Sequence, residues 1–380
     1  IQDKTLLKEI PEGIEVIKRN IKEPQQILSL FGGNSKKQGA GFLESKPSLA
    51  GRIMRYIRAN FFVPDARKYW VKPSVRFLES YLKRNPVDVV ITSGPPHSLH
   101  LIGMELKSRL KIKWISDFRD PWTNIDYFHK LPLTKKSFKR HQYLEKLVVE
   151  NSDRVLVVGN TMKKEFLSFN KEIDILTNGF DTNQKKGEFS LDEKFSITHV
   201  GMMNADRNPK ILWRVLANLC KENKAFCKTI KIHLIGKIAE VVREDLKIFE
   251  DHQVDITDYL SHTDIVSYQC ASQVLLLSIN RVPFAKGIIT GKIFEYLQAK
   301  RPILAIGPED GDAAYILRNT NAGKIFDFKE EMNLKQYISV LFEQYKKGNT
   351  VVNSKNIDAY HRKNITEDLA RIIKKTICQA

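Results

Sequence analysis

The stretch Gly287-Ile-Ile-Thr-Gly-Lys292-Ile-Phe-Glu295 holds the densest set of chemically useful side chains in the chain. A glycine-bearing loop opens a helix predicted over residues 290–300. A helix amino terminus offers unpaired N–H groups and the positive end of the helix dipole, which suits phosphate. Lys292 adds a cation on a flexible stem. Glu295, one turn on, is placed to accept two hydroxyl hydrogen bonds from a ribose. Arg207 and Lys237 follow two further predicted strands, those ending at Gly201 and Gly236. Open α/β sheets gather their loops at the carboxyl ends of the strands, so Arg207, Lys237 and Lys292 can surround a diphosphate there. The plainer alternative is a packing helix and three solvated surface charges. The spacing is not that of a Walker loop: three residues, not four, separate Gly287 from Gly291-Lys292, and Ile293 stands where Ser or Thr would meet magnesium.

A second constellation is Asp117-Phe-Arg119-Asp120-Pro-Trp122, at the carboxyl end of a strand predicted over residues 112–116. Two carboxylates with an arginine between them can hold a sugar, orient a hydroxyl or withdraw a proton. The alternative is an ion pair and a helix cap that fix the turn, which suits Asp120 before Pro121. Trp122 offers a face for a sugar ring or for the core. His97, after Gly94-Pro-Pro, is a candidate ligand contact, and His100 reads as structural. No third His or Cys lies near enough to suggest a metal.

The elements that must position these residues read as repeated strand–helix alternation. Apolar runs near residues 87–92, 112–116, 154–158 and 173–176 predict one set of parallel strands. Runs near 196–200, 230–235, 254–256, 274–278, 302–306 and 324–326 predict a second. A charged linker over 182–194 divides them, and an amphipathic helix over 356–377 ends the chain. A short strand is predicted at 14–18 and a Gly/Ser/Lys-rich loop at 32–51. Residues 52–84 form a basic, aromatic stretch broken into helices at Pro64 and Pro73. This stretch fits an anionic lipid surface, a single-stranded nucleic acid or an ordinary packed helix pair. With 380 residues, two domains are the expectation. The charge balance, 62 basic against 44 acidic residues, favours an anionic partner. The four cysteines lack metal or redox spacing, which fits reduced thiols in a cytoplasmic protein. No nicotinamide fingerprint and no nucleic-acid motif is present.

Four stretches carry a family resemblance: residues 92–100 (Thr-Ser-Gly-Pro-Pro-His-Ser-Leu-His), 116–123 (Ser-Asp-Phe-Arg-Asp-Pro-Trp-Thr), 177–181 (Thr-Asn-Gly-Phe-Asp) and 286–306. Together they resemble the retaining glycosyltransferases of the GT-B fold, family four, in the bacterial cell-surface polysaccharide branch. The resemblance implies two doubly wound Rossmann-like domains facing across a cleft. Residues 1–181 would bind the acceptor, 182–354 the nucleotide sugar, and 355–380 would cross back as a helix. It implies Arg207 and Lys237 at the leaving diphosphate, Glu295 at the ribose, and Gly94, His97 and Trp122 toward the acceptor, with Asp117, Arg119 and Asp120 near the chemistry.

The resemblance also implies a glycosyl transfer with no metal cofactor. The acceptor is expected to be a saccharide or lipid-linked saccharide, met at the inner face of the cytoplasmic membrane. Three departures stand out. Gly287 occupies the place of the family's first glutamate, which leaves donor-sugar recognition to the backbone of residues 284–291, Gly287 and Ile288 among them. Arg119 lies where many relatives have a histidine. Nothing before Ile14 resembles the family's opening strand and glycine-rich turn, so a longer native protein is expected. A non-enzymatic binding protein and a sugar-nucleotide epimerase of the same fold are the competing readings.

Overall fold

A computed structural model describes residues 11–21, 48–181, 189–258 and 260–378. Helices α1 (Leu49–Phe61) and α2 (Lys68–Arg84) come first. Then follow β1 (Val89–Gly94), α3 (Ser98–Leu110), β2 (Lys113–Phe118), α4 (Lys135–Asn151), β3 (Arg154–Val157), α5 (Asn160–Phe166) and β4 (Ile173–Ile175). The four strands are parallel, in the order β1-β2-β3-β4.

The second half begins with β5 (Phe195–Val200), α6 (Lys210–Glu222), α7 (Lys224–Thr229), β6 (Ile230–Ile235), α8 (Glu240–Leu246), β7 (Val254–Thr257) and α9 (His262–Ala271). It continues with β8 (Val274–Ser278), α10 (Lys292–Ala299), β9 (Ile303–Ile306), α11 (Asp312–Thr320), β10 (Gly323–Phe326) and α12 (Glu331–Lys346). Its six parallel strands run β10-β9-β8-β5-β6-β7. Chain order reverses between β5 and β8, the doubly wound arrangement with its switch point there. The last helix is α13 (Arg362–Cys378).

The two sheets are covered differently. In the first, every crossover advances in one direction, and right-handed crossovers then place all their helices on one face. That face is filled by Trp114, Phe118, Val155 and Val157 with Leu144, Val148 and Met162. The opposite face carries Ile115, Leu156 and Leu176, and α13 covers it with Ile365, Leu369, Ile372 and Ile373. The terminal helix therefore supplies a layer that the local chain does not. The second sheet winds both ways from β5 and is covered on both faces by its own helices.

Several expectations are corrected. Among the described residues the first sheet shows no switch point. Residues 14–18 form no strand; they are exposed, and Glu15 accepts from the Tyr81 hydroxyl. Pro73 does not end a helix but lies inside α2. The carbonyl that would bond the missing N–H belongs to Tyr69, a residue on the exposed surface. Most of the loop expected at 32–51 and residues 182–188 of the linker lie outside the described residues, and residues 49–51 begin α1.

Candidate functional site

The second sheet opens at its switch point. β5 and β8 pair only through Ile197 with Val274 and Thr198 with Leu275. Beyond Thr198 they part, and two buried side chains bridge the gap. The Tyr296 hydroxyl accepts from Val200 N at 3.0 Å and donates to Leu276 O at 3.3 Å. His199 Nδ1 lies 3.1 Å from Leu276 O. That contact makes Nδ1 the donor and leaves Nε2 as a buried acceptor without a hydrogen-bond partner.

The loops above this opening meet closely. Gly201 and Gly236, which follow β5 and β6, have φ of 105° and 121°, a region that favours glycine. A Cβ on Gly201 would sit 2.2 Å from Lys292 Cε, and one on Gly236 would sit 2.9 Å from the Gly201 backbone. Lys292 at the start of α10 thus reaches across the ends of the strands. Burial and the neighbouring Arg207 lower its pKa. Burial also lowers the pKa of Arg207. His199 is pushed down to about 3 by burial, then by the charges of Lys292 and Arg207. It is therefore neutral at physiological pH. Two partly desolvated cations side by side form a place short of negative charge. Glu295, one turn along α10, accepts from Gln269 Nε2 at 3.1 Å and helps to hold the Lys292 charge.

The structure brings Arg207, Lys292 and Glu295 together. Lys237 is exposed and follows Gly236, with its carbonyl accepting from Met203 N at 3.1 Å. Gly287 and Ile288 were expected to offer free amides, but their N–H groups close a tight turn onto Phe284 O and Ala285 O. Gly287 instead lies against Thr161 of the first half. It helps line a cavity of about 140 Å³ between the halves, with Pro121, Asn124, Thr161, Phe284 and Lys286.

A hydrogen-bonded chain crosses the cleft. Arg207 Nε donates to Asn280 Oδ1 at 2.8 Å, and Asn280 Nδ2 donates to Asp126 Oδ2 at 2.7 Å. Lys130 pairs with Asp206 beside it. Further along, the Asp312 carboxylate accepts from Thr161 N at 3.1 Å and caps α5 from the other half. Asp126, Asn280, His199 and Gln269 were not expected from the sequence. Of these only His199 left a signal there, as a polar residue near the carboxyl end of a buried apolar strand.

The first-half candidates separate. Asp117 accepts from Ser93 Oγ at 2.7 Å and pairs with Arg119. Arg119 also donates to Leu176 O at 2.9 Å and to Asn178 Oδ1. It ties the interdomain segment to β2. Asp120 is exposed at the surface of the loop, and the crowding of protein around it, then Asp126, raises its pKa.

His97 and Trp122 do not face an acceptor. They stack on one another at 4.6 Å, 8% and 2% exposed, and Trp122 Nε1 donates to His141 Nδ1 at 3.0 Å. Gly94 permits close packing, since a Cβ there would lie 2.6 Å from His100 Nε2. Of the two uses the sequence left open for Trp122, a sugar ring or the core, the structure shows the core.

Residues 37–184 match the Glycosyltransferase Family 4 family, which is less than half of the chain. Sucrose-phosphate synthase from Thermosynechococcus elongatus superposes with a TM-score of 0.60 at 13% identity, over 82% of this chain and 79% of that one. This chain has the GT-B fold. The lipopolysaccharide outer core galactosyltransferase WaaB, in its apo form, gives 0.54 at 13% identity, over 81% and 80%. The UDP-forming α,α-trehalose-phosphate synthase from Burkholderia xenovorans, with glucose-6-phosphate, gives 0.51 at 10%, over 79% and 77%. No curated protein sequence matches the chain. Among the described residues no group of His, Cys, Asp and Glu is arranged to hold a metal ion. No described helix is long and apolar enough to cross a membrane.

Proposed function

We propose that this protein is a glycosyltransferase that moves a sugar from a nucleoside-diphosphate sugar to a saccharide acceptor. The observation that carries the reading is the pairing of Arg207 with Lys292 above neutral His199, at the switch point of the second sheet. Such a pair meets the charge that develops on a departing diphosphate. Lys237, beside Gly236, is a third cation for the same group. Glu295 receives the ribose hydroxyls, held in place by Gln269. The acceptor enters between the halves, where the cavity lies, and Asp120, next in the chain to Pro121 of the cavity lining, takes the proton of its hydroxyl. Asp117 and Arg119 act through the loop they fix. The match to family four and the fold support this assignment. The finer terms of the proposal are retention at the anomeric carbon, a lipid-linked acceptor and a place in cell-surface polysaccharide assembly. They follow from the resemblance of residues 92–100, 116–123 and 286–306.

The test is a thermal-shift panel of UDP, GDP, ADP, CMP and their sugars, with Glu295→Ala beside the native protein. A hundredfold excess over Kd adds about 2.7 kcal/mol of stability. The proposal expects a shift with one base that is lost in the variant. No shift with any nucleotide overturns it.

A further inference from the structure

We infer that the cavity between the halves is a subsite for one uncharged sugar ring of the acceptor, and that Glu165 sets its selectivity. The inference rests on the transferase reading and names the acceptor class that the reading leaves open. The cavity, about 140 Å³, is below the roughly 300–1,000 Å³ of a pocket that encloses a drug-sized ligand, so it takes a ring rather than a chain. Its walls carry both parts of a sugar site. Pro121, Pro283 and Phe284 offer apolar faces, and Asn124, Glu165 and Lys286 offer polar groups. Phe284 is 38% exposed, so its ring has surface left for a ligand.

The polar wall is held from both halves. Glu165 follows Thr161 by one turn on α5, so the two share a side of the helix. The Asp312 carboxylate of the second half accepts from Thr161 N and fixes α5 against it. Gly159, just before α5, permits that approach, since a Cβ there would lie 2.3 Å from Asp312 Oδ2. On the loop side, buried Glu145 accepts from Thr123 N at 3.1 Å and from the Thr123 hydroxyl. This anchors the loop at the residue before Asn124. Asn124 in turn hydrogen-bonds Glu165.

Local charge selects the ring. The chain carries a net charge of +18, yet the first-half wall of this cavity is acidic. Burial raises the Glu165 pKa, the Asn124 hydrogen bond lowers it, and the nearby Asp312 charge raises it again. Lys286, a cation of the lining, is already paired with Asp310 at 2.5 Å. A carboxylate can accept hydrogen bonds from two neighbouring hydroxyls of a sugar. A uronic acid in the same place would meet a like charge.

The experiment is saturation-transfer NMR titration of methyl glycosides on the full chain, alone and with the nucleoside diphosphate that raises its melting temperature most. The probes are the glucoside, galactoside, mannoside and N-acetylglucosaminide, with the glucuronide and galacturonide as charged counterparts. A neutral glycoside is expected to bind, and a uronide about tenfold more weakly. Glu165→Gln keeps hydrogen-bonding groups and removes the charge, so it should bring the two within about a factor of two. Phe284→Ala should weaken both by about tenfold. An unchanged melting temperature shows that each variant is folded. Three outcomes overturn the inference: no neutral glycoside binds, uronides bind as well as neutral rings, or the discrimination survives Glu165→Gln. Displacement of the glycoside by the nucleotide sugar but not by its nucleoside diphosphate puts the donor's ring in the cavity and overturns the acceptor assignment. Glycoside binding that discriminates as expected, with no response to any nucleotide, overturns the transferase reading and leaves the sugar subsite standing.

Discussion

The first sheet borrows a layer and the second does not. Leu156 in β3 and Leu276 in β8 are both fully enclosed strand residues. Leu276 is covered by helices of its own half, with Ile211 and Leu212 of α6 and Leu341 and Phe342 of α12, and Leu156 by a helix more than two hundred residues away. The cause is topological. A sheet that advances in one direction covers one face, whereas a sheet that winds both ways from a central strand covers two and leaves a crevice at the reversal. The half with the crevice holds the paired cations. The half without it depends on α13 and presents its loops across the cleft.

The largest test of this contrast removes α13. Ending the chain after His361 uncovers Ile115, Leu156 and Leu176 together, at about 1.5–3 kcal/mol for each large apolar side chain. Hydrogen exchange should show protection lost over residues 89–175 while residues 195–326 stay protected. Equal loss in both halves would break the comparison. Leu156→Ala alone should cost about 2–5 kcal/mol, concentrated in the first half.

Acid is the next lever. His97 is pushed down to about 3 by burial and His141 to about 4, with His100 also held well below its usual range. Below pH 6.5 the unfolded chain takes up protons that these buried rings refuse. Their contribution is therefore complete above pH 6.5 and is lost as pH falls, at about 1.4 kcal/mol per pH unit for each ring. Burial raises the carboxyl groups of Glu145, Glu165 and Asp312, which work in the opposite sense, with stability lost as pH rises through their range. Urea melts at stepped pH, native against His97→Gln, isolate one histidine: the variant should lose about that slope. Parallel curves would contradict it.

The contacts between the halves give the smallest effects. Asn280→Ala removes both the Arg207 and Asp126 bonds and should weaken closure by about 1–3 kcal/mol. This would appear as a larger radius of gyration in small-angle scattering. Lys130→Ala, at a half-exposed ion pair, should cost under about 1 kcal/mol. If the two variants open the cleft equally, the Asn280 bridge does not govern closure.

Much of this was legible in the sequence because buried parallel strands read as short apolar runs. The Val-Leu-Leu-Leu-Ser of β8 is an example, and the Gly-Lys pair correctly marked the start of α10. The meeting of Arg207 with Lys292 was legible from strand ends alone, since the topology gathers those ends. Other features had no local signature. Asp126 and Asn280 are ordinary loop residues until the halves are folded against each other. Arg119 read as chemistry beside two carboxylates, but its partners Leu176 and Asn178 are set by the register of β2, β3 and the segment after β4. Trp122 and His97 were ambiguous because the same ring can stack on a sugar or on another ring, and burial decides between them.

The central claim is that the second half recognises a diphosphate through Arg207 and Lys292. Calorimetric titration of the preferred nucleoside diphosphate and of its parent nucleoside tests it most directly, in the native protein and in Arg207→Ala with Lys292→Ala. The account predicts that the native protein prefers the diphosphate by on the order of a hundredfold, about 1.5–3 kcal/mol for charge-assisted hydrogen bonds. It predicts that the double variant retains the nucleoside affinity and loses the preference. An unchanged preference in the double variant would contradict it.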